Sequence, residues 1–461
     1  DELERTEENW RSSTGMTIEA TRRSRSNSRR VSIRAVGALA TALRAGRVQR
    51  RRILRELTGD HFLDVLPLWV GTLKEIDDTL PLSGAVFDVV IFDEASQIDQ
   101  QRAAPALARA RRAVIVGDPR QLRHISFTAD LAIEETAARY GLAGTTARLL
   151  DIRRNSLFDA AATDSPVTWL DEHFRSVPHL IGFSDRKFYN GRLKLMTQHP
   201  ATESQDGIHT IAVDGCRDES GVNMAEVHAV REEVNRLARR GVSSIGVVTP
   251  FRAQADALEA MLLDDFEPED TERLGLRVGT VHAFQGNERE IIIVSLAMTN
   301  DDLSNSLRFV ENPNLFNVMV TRAKREMKVL HSFEIESLPA GLLKEYFRHG
   351  GHPPRPLEST TQPRGWTGEL LEHVRQFSVP AVAGYPVAGW TVDMTIGTGA
   401  EAFGVECSVH PDGPDAHIER HQALRRAGWV MTDSFQSRWL TRAEAGAESL
   451  ARRYLQQVPE D

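Results

Sequence analysis

The chain has 461 residues, of which 41% are hydrophobic and 26% charged, and its formal net charge is −9 at pH 7; this is the composition of a globular protein with room for about three domains. No apolar run approaches the ~20 residues of a membrane helix, and the N-terminus lacks the basic-then-apolar pattern of a signal peptide. Because Cys216 and Cys407 are the only cysteines, a disulfide framework and a cysteine-rich zinc site are excluded, and we expect a cytoplasmic protein.

A basic stretch comes first in chain order. From Arg22 to Arg55 there are twelve arginines and no acidic residue. Such a run is typical either of an arm that contacts nucleic-acid phosphates or of a solvated helix face, and we favour the first interpretation. Alanine and leucine spacing from Val31 to Leu57 predicts helix. We therefore predict a basic helical arm or insertion over residues 1–59.

The next feature is a predicted strand that is followed by two candidate catalytic acids. Val89 to Phe92 is an apolar run, expected to be a central strand of a parallel sheet that is covered on both faces. It ends at Asp93 and Glu94, and ligands of such sheets bind at the carboxyl ends of the strands. One carboxylate could hold Mg²⁺ while the other orients or deprotonates a water. The alternative is a pair of solvated acids at a strand end.

A second strand of the same kind is predicted at Ala113 to Val116, after a short helix at residues 103–112. It ends in the polar turn Gly117 to Gln121. Beyond it we predict helix over residues 131–150 and a loop over residues 156–165 that leads into a second domain. Strands that end repeatedly in a carboxylate and a polar turn are typical of nucleotide-hydrolysing sheets.

Asp93 to Gln97 and Gly117 to Gln121 together resemble motifs II and III of superfamily 1 helicases, in the group that includes the nonsense-mediated-decay helicase. The resemblance implies an AAA-type motor that uses ATP and Mg²⁺, with Asp93, Glu94 and Gln121 among its catalytic residues and Asp93 as a metal ligand.

In that family a G-x-x-x-x-G-K-[ST] loop, whose backbone amides and lysine hold the phosphates, precedes motif II. The sequence contains no such loop. We therefore expect a C-terminal fragment, or one product of a split or cleaved protein, with the missing N-terminal region as its partner. The alternative is a protein that never had the loop and does not hydrolyse ATP unaided.

Further motifs of the same family follow in order. Leu170 to Ser176 resembles the segment whose arginine, here Arg175, reaches the γ-phosphate as an arginine finger, a task that suits an always-charged forked guanidinium. Asn317 to Lys324 resembles motif VI, which implies that Arg322 is a second arginine finger.

Two other motifs of this resemblance concern the nucleic acid and the nucleotide. Gly246 to Pro250 and the residues after it resemble the link between motifs IV and V, which implies that Thr249 and Gln254 contact a single strand. Val278 to Glu288 resembles motif V. For motif V the family implies the following roles: Thr280 contacts the nucleic-acid backbone, and Gln285, Gly286 and Glu288 line the nucleotide side.

The resemblance implies an α/β fold with two RecA-like P-loop NTPase domains, of which the first is incomplete. Residues 60–155 would form the latter part of the first domain and residues 156–335 the second. The pair would open and close with the nucleotide and step along single-stranded or partly duplex nucleic acid, DNA more than RNA, in the 5′-to-3′ direction.

A separate small α/β domain is predicted over residues 367–457, after a linker at residues 336–366 that is rich in Gly, Pro, Ser and Thr. Its predicted order is helix, three strands, helix, strand and a closing helix. With Asp393 at the end of one strand and Glu406 in the next, it resembles the PD-(D/E)XK fold of restriction endonucleases, in the very-short-patch-repair group.

That resemblance implies that Asp393 and Glu406 are catalytic and bind Mg²⁺. The sequence departs from the pattern at Ser408, where the wider fold has lysine and this group often has aspartate. Whether the domain cleaves DNA or only grips it stays open.

Two hypotheses result. The first is an ATP-dependent superfamily 1 helicase or translocase with an appended nuclease-like domain that cleaves or grips DNA. The second is a non-hydrolysing nucleic-acid-binding or nuclease protein in which the motor fold is a scaffold.

Overall fold

A computed structural model describes most of the chain in two compact units. The described residues are 2–24, 29–56, 63, 66–124, 130–301, 303–355, 363–440 and 442–457. The first unit comprises Asp1–Pro119 with Arg123–Val167, and the second comprises Arg120–Leu122 with Thr168–Asp461. Within the described ranges, no helix combines the length and the apolar character that crossing a membrane requires.

The first unit contains a short parallel sheet and several helices. Its elements are α1 (Glu2–Ser24), α2 (Arg29–Arg44), α3 (Arg47–Glu56), α4 (Leu73–Thr79), β1 (Phe87–Phe92), α5 (Gln100–Ala108), β2 (Ala110–Ile115), α6 (Asp130–Arg139), α7 (Gly144–Leu149) and α8 (Leu157–Asp164). The predicted basic arm contains α1, α2 and α3, and its residues 1, 25–28 and 57–59 lie outside the described part. Leu39, Leu54 and Leu80 pack together and join α2 and α3 to the end of α4.

The prediction that β1 is covered on both faces is wrong. Phe92 is buried and packs on Ala103 and Ala106 of α5, but Val89 is 45% exposed and Ile91 is 68% exposed. Successive side chains of a strand point to opposite faces. Because β1 and β2 form a two-stranded parallel sheet with helical cover on one face, the other face of β1 stays open in the described part of the chain.

The predicted loop at residues 156–165 is in fact helix α8. Ser156 Oγ accepts a hydrogen bond from the backbone N–H of Asp159, and the Asp159 carboxylate accepts one from the backbone N–H of Ser156. This reciprocal capping box satisfies two N–H groups that a helix start otherwise leaves unpaired. A serine followed three residues later by an acid was the sequence signal for this helix.

The second unit begins with a parallel sheet enclosed by helices. Its elements are β3 (Glu172–His173), α9 (Pro178–Phe188), β4 (Lys194–Leu195), β5 (Ile208–Ala212), α10 (Met224–Arg239), β6 (Ile245–Thr249), α11 (Arg252–Asp265), α12 (Pro268–Arg273), β7 (Arg277–Thr280), β8 (Arg289–Thr299), α13 (Leu303–Val310), α14 (Pro313–Val320), β9 (Ala323–Ser332) and α15 (Leu342–Gly350). The sheet order is β5-β9-β8-β6-β7, with all neighbours parallel.

The sheet of this unit is buried on both faces at β8. Ile292 and Val294 belong to a core shared with α9, α14 and α15, whereas Ile291 and Ile293 belong to a core shared with α10 and α11. The alternation follows from the two-residue period of a strand, and a fully apolar strand is what a doubly covered parallel sheet requires. The predicted α/β class is confirmed.

The C-terminal part of the second unit has its own small sheet. Its elements are α16 (Trp366–Gln376), β10 (Ala381–Val387), β11 (Trp390–Ile396), β12 (Phe403–Glu406), α17 (Pro414–Arg426), β13 (Met431–Asp433) and α18 (Ala443–Gln457). The strands lie in sequence order, antiparallel except for the parallel pair β12 and β13. α16 and α18 cover one face around Leu370, Phe403 and Leu450. The predicted order of helices and strands is the observed one.

The predicted linker at residues 336–366 is partly wrong. It contains α15, whose Leu343, Tyr346 and Phe347 are buried in the core of the larger sheet. Apolar residues at positions i, i+3 and i+4 are the pattern of one helix face, and they outweigh the glycine and proline signals that follow. Residues 356–362 of the linker lie outside the described part.

Candidate functional site

Two acidic side chains follow β1. Asp93 is exposed, and its Oδ1 accepts a hydrogen bond of 2.9 Å from the backbone N–H of Glu94. Glu94 has a backbone φ of 52°, in the left-handed region, and its Oε2 accepts a bond of 3.1 Å from Gln97 Nε2. A non-glycine residue in this region is strained, and such strain is concentrated at functional sites. The turn fixes both carboxylates at the carboxyl end of a parallel strand.

The turn after β2 packs against the turn after β1. The backbone N–H of Ala95 donates to Val116 O at 2.8 Å. A Cβ atom at Gly117 would lie 2.9 Å from Ser96 Oγ and 3.0 Å from Ser96 N, so the close approach of the two turns requires glycine. This contact explains why glycine opens the segment Gly117 to Gln121.

Gln121, predicted to be catalytic, lies in the second unit together with Arg120. The backbone carbonyl of Gln121 accepts a hydrogen bond from Asn314 Nδ2, and that of Arg120 accepts one of 3.0 Å from Asn317 Nδ2. Both asparagines belong to α14, so Arg120 and Gln121 are held against this helix through their main-chain carbonyls.

Residues from three distant motifs meet in one ion-pair cluster. Arg175 Nε pairs with Glu288 Oε2, and Lys324 Nζ lies 3.2 Å from Glu288 Oε1. All three side chains are partly exposed. The structure thus brings a predicted arginine finger and a predicted nucleotide-side carboxylate together, with two cations around one acid.

The segment that carries Arg175 is held by a neutral histidine. Burial, together with the nearby Arg175 charge, lowers the pKa of His173 to about 4. Its Nε2 accepts a hydrogen bond of 2.8 Å from the backbone N–H of Ser176, and Ser176 Oγ donates to Ala323 O at 2.7 Å. Because the imidazole is neutral, it can accept this bond and fix the direction of the turn into α9.

Arg322 is almost fully buried at the end of α14. Its Nε donates to Val318 O at 2.8 Å, and its Nη2 donates to Thr321 Oγ1 at 3.2 Å. In this structure the second predicted arginine finger therefore caps the helix that precedes it.

The two predicted threonine contacts lie side by side. Thr249 and Thr280 are register partners at the carboxyl ends of β6 and β7. Thr280 is partly exposed, and its Oγ1 accepts a bond of 3.3 Å from Ala283 N, which begins the turn that leads to Gln285. Thr249 is completely buried, so the prediction that it contacts a nucleic acid is corrected.

The turn after β7 contains the other predicted nucleotide-side residues. Gly286 has a φ of +71°, a conformation that glycine adopts at little cost. Gln285 N donates to His282 O at 3.3 Å, and the Gln285 carbonyl accepts a bond of 3.1 Å from Asn287 Nδ2. The turn therefore sets the direction of Gln285 and of Glu288, and Glu288 immediately precedes β8.

The prediction for Gln254 is also corrected. Its side chain is completely buried. Its Oε1 accepts a bond of 2.8 Å from Asn223 N, and its Nε2 donates to Asn223 O at 3.2 Å and to Ser295 Oγ at 3.0 Å. All of these partners are internal, so Gln254 holds the start of α10 against β8 and does not face a ligand.

This glutamine belongs to a buried polar network that the sequence analysis missed. Glu226, completely buried, accepts hydrogen bonds from Ser295 Oγ at 2.7 Å, Ala297 N at 2.8 Å and Ser332 Oγ at 2.9 Å. Burial raises the pKa of Glu226 to about 7. Its partners are far away in the sequence, and the available signal was an acid three residues after Asn223, which caps α10.

In the C-terminal sheet, Asp393 of β11 and Glu406 of β12 do lie close together, with Arg420 of α17 between them. Arg420 Nη1 lies 3.0 Å from Asp393 Oδ1, and its Nη2 lies 3.4 Å from Glu406 Oε1. Ser408, the departure from the pattern, donates its backbone N–H to Asp393 Oδ2 at 3.1 Å.

The two predicted metal positions differ in how well they fit a cation. Asp93 keeps an exposed carboxylate at a strand end, which suits Mg²⁺ held jointly with nucleotide phosphates. Asp393 and Glu406 do not fit, because a guanidinium fills the space between them. Nowhere in the described part of the chain do three or more His, Cys, Asp or Glu side chains converge so that they could hold a metal ion.

Comparisons with known proteins place two stretches of the chain in the same class of domain. Residues 1–128 and residues 153–333 each match a family model described as an AAA domain. The AAA stretches hold every predicted motor residue from Asp93 to Arg322, whereas α16 to α18 lie outside them.

Relatives of these AAA stretches are helicases. The chain is 28% identical to an uncharacterized ATP-dependent helicase of Mycoplasma genitalium over 65% of this chain and 29% of the relative. It is 27% identical to helicase SEN1 of Saccharomyces cerevisiae, over 59% of this chain and 12% of that protein. It is also 27% identical to the probable helicase senataxin of Homo sapiens, over 54% of this chain and 9% of that protein. The chain thus spans less than a third of the length of these three relatives.

Proposed function

We propose that this protein is an ATP-dependent superfamily 1 helicase or translocase that acts on nucleic acid, on DNA more than on RNA. The observation that carries the proposal is the cluster of Arg175, Glu288 and Lys324, in which residues from three separately recognised motifs meet. Supporting it, the same stretch matches an AAA domain and the relatives are named as helicases. We further propose that both AAA stretches have the RecA-like fold.

In this proposal Asp93 would hold Mg²⁺, which neutralises phosphate charge when ATP is bound. Glu94 orients or deprotonates the attacking water, since its carboxylate is fixed by Gln97 and by its own strained backbone. Gln121 senses the nucleotide from the polar turn, and Gln285 lines it from the turn after β7.

Arg175 is the group that stabilises the transferred phosphate in this proposal. In the structure Glu288 is its partner. The negative charge of a γ-phosphate competes with this carboxylate, and the forked guanidinium can exchange one for the other. Lys324 keeps Glu288 paired when Arg175 leaves. Arg322 would need to release Val318 and Thr321 to act as a second finger.

Nucleic acid is proposed to lie over the carboxyl ends of β6 and β7. Thr280 presents a partly exposed hydroxyl there, and ligands of open parallel sheets bind at this edge. Arg34 and Arg44 of α2 and Arg52 of α3, which are exposed, would supply a second surface for phosphates through non-specific charge attraction.

A second candidate is a nucleic-acid-binding protein that does not hydrolyse ATP and uses the AAA stretches as a scaffold. The observation that favours it is that the 461 residues contain no G-x-x-x-x-G-K-[ST] loop.

The test is ATP hydrolysis stimulated by single-stranded DNA and RNA, measured for this chain and for the longest natural reading frame that contains it. The proposal expects stimulated hydrolysis in the longer protein and its loss in the Arg175→Ala variant. Arg273→Ala is the matched control, since Arg273 is exposed on α12 of the same AAA stretch, before β7 begins. A longer protein without hydrolysis, but with tight nucleic-acid binding, would favour the scaffold.

For residues 366–457 we propose a restriction-endonuclease-like domain that cleaves or grips DNA. The order of α16, three strands, α17 and β13 supports it, as does the position of Asp393 and Glu406 on neighbouring strands. Cleavage and gripping differ in their need for a metal ion.

A further inference from the structure

The acidic pair of the C-terminal domain, Asp393 and Glu406, is bridged by an arginine of the same domain. Arg420 Nη1 donates to Asp393 Oδ1 at 3.0 Å, and Nη2 donates to Glu406 Oε1 at 3.4 Å. The Arg420 side chain is 3% exposed, against 16% for Asp393 and 4% for Glu406. The guanidinium is therefore part of the interior, not a surface group that happens to lie near.

The remaining carboxylate oxygens are also occupied. Asp393 Oδ2 accepts from the backbone N–H groups of Cys407 at 2.8 Å and Ser408 at 3.1 Å. Glu406 Oε2 lies 2.8 Å from His421 Nδ1 and 3.6 Å from His417 Nε2. Every oxygen of the pair thus has a partner within the domain.

One face of α17 supplies this guanidinium and the two imidazoles. His417, Arg420 and His421 are spaced i, i+3 and i+4, which places them on one side of the helix. Arg420 Nη1 also donates to Thr391 O at 3.1 Å on β11, so the helix is fixed to the sheet at the point where the acids emerge.

We propose that Arg420 takes the place of a metal ion, so that this domain binds no divalent cation at Asp393 and Glu406 and does not cut nucleic acid by a metal-dependent route. A guanidinium forked between two carboxylates offsets part of their negative charge, as a metal ion would. A dication would have to expel a buried, hydrogen-bonded charge, which is costly. Ser408, unlike the aspartate often found at this position, does not supply a further carboxylate that could bind a metal ion.

This inference rests on the proposed restriction-endonuclease-like interpretation of the domain, and it selects gripping over cleavage. It does not depend on ATP hydrolysis. Its tests therefore use the full chain carrying Asp93→Asn, which removes the proposed motor metal ligand, and they measure metal binding and melting.

The first test is the amount of Mn²⁺ bound, measured by electron paramagnetic resonance, with and without the additional change Asp393→Asn. The inference expects equal binding by the two chains. Loss of one equivalent of Mn²⁺ on adding Asp393→Asn would overturn it. Metal-dependent cleavage of plasmid DNA that disappears with Asp393→Asn would overturn it as well, while supporting the nuclease fold.

The second test compares Arg420→Met with Arg426→Met, an exposed arginine at the end of the same helix. Loss of the buried cation is expected to lower the Tm by at least about 10 °C, and Mn²⁺ should then raise the Tm of this variant alone by binding to the freed acids. Equal melting of both variants with no response to Mn²⁺ would refute the proposal.

Should Arg420→Met fail to fold, Arg420→Lys decides. This variant keeps the positive charge but loses the two parallel donors of the guanidinium. It is therefore expected to fold with a reduced Tm and to show no Mn²⁺ binding at Asp393. Asp393-dependent Mn²⁺ binding in this variant would contradict the replacement of a metal by positive charge.

Discussion

The hydroxyl of Tyr385 donates a hydrogen bond of 2.6 Å to Glu203 Oε2. Tyr385 lies on β10 of the C-terminal sheet, and Glu203 lies in the loop between β4 and β5. Near it, Trp429 Nε1 donates to Gln198 O at 3.2 Å, and the rings of Trp429 and His199 are 4.4 Å apart. Tyr385 and Trp429 are both buried. Two aromatic side chains with polar tips therefore attach the C-terminal sheet to the second AAA stretch.

Removing the Tyr385 hydroxyl should weaken this attachment. We expect Tyr385→Phe to lower the free energy of unfolding by about 1.5–3 kcal/mol, the usual contribution of a hydrogen bond to a charged group. Urea unfolding of the full chain measures it, with Tyr454→Phe on α18 as the matched control. In a double-mutant cycle with Glu203→Gln, independent effects of the two changes would contradict a direct bond.

The buried Glu226 should make stability fall as pH rises. Burial raises its pKa from 4.5 to about 7 in the folded state, so between these values the folded state binds more protons than the unfolded one. The contribution of Glu226 to the free energy of unfolding is therefore complete below pH 4.5 and is lost as the pH rises through 7. The total loss is about 3 kcal/mol. Denaturant unfolding of wild type at pH 5 and pH 8 measures the loss.

Glu226→Gln should remove this decrease of the unfolding free energy between pH 5 and pH 8, because the amide does not titrate. Glu232→Gln is the matched control, as Glu232 is exposed on the same helix. A slope that survives in the Glu226→Gln variant would show that another group is responsible.

Charge alone should not replace Arg175. Arg175→Lys keeps a cation beside Glu288 but loses the forked guanidinium, so we expect kcat for ATP hydrolysis to fall by about 10²-fold or more with little change in stability. The measurement is steady-state hydrolysis by the longest reading frame that contains this sequence. Near-normal kcat in the lysine variant would mean that Arg175 only pairs with Glu288.

The close approach of the two turns in the first unit should not tolerate a methyl group. A Cβ at Gly117 meets backbone and side-chain atoms of Ser96, so Gly117→Ala should lower the free energy of unfolding by about 1–3 kcal/mol. Gly84→Ala is the control, because the nearest atom to its Cβ would be 3.9 Å away. Equal effects of the two substitutions in chemical denaturation would argue against this packing.

Local sequence patterns predicted many of the helices and strands, whereas contacts between residues far apart in the sequence determine the arrangement of the sites. The order of the C-terminal elements follows from short-range periodicity and was predicted correctly. The network around Glu226 was not visible, since Ser295 and Ser332 lie 69 and 106 residues away. The same holds for Arg420, because no local pattern states that a helix side chain will lie between two strands.

The open face of β1 and β2 has a practical consequence in solution. Val89, Ile91 and Val114 are 45%, 68% and 47% exposed on neighbouring strands, and clustered apolar surface of this kind is an adhesive site. We expect the purified chain to brighten hydrophobic dyes and to grow in light-scattering size with concentration, more so in ammonium sulfate. Ile91→Asp, which places a charge on this face, is expected to reduce the association and keep the chain monodisperse.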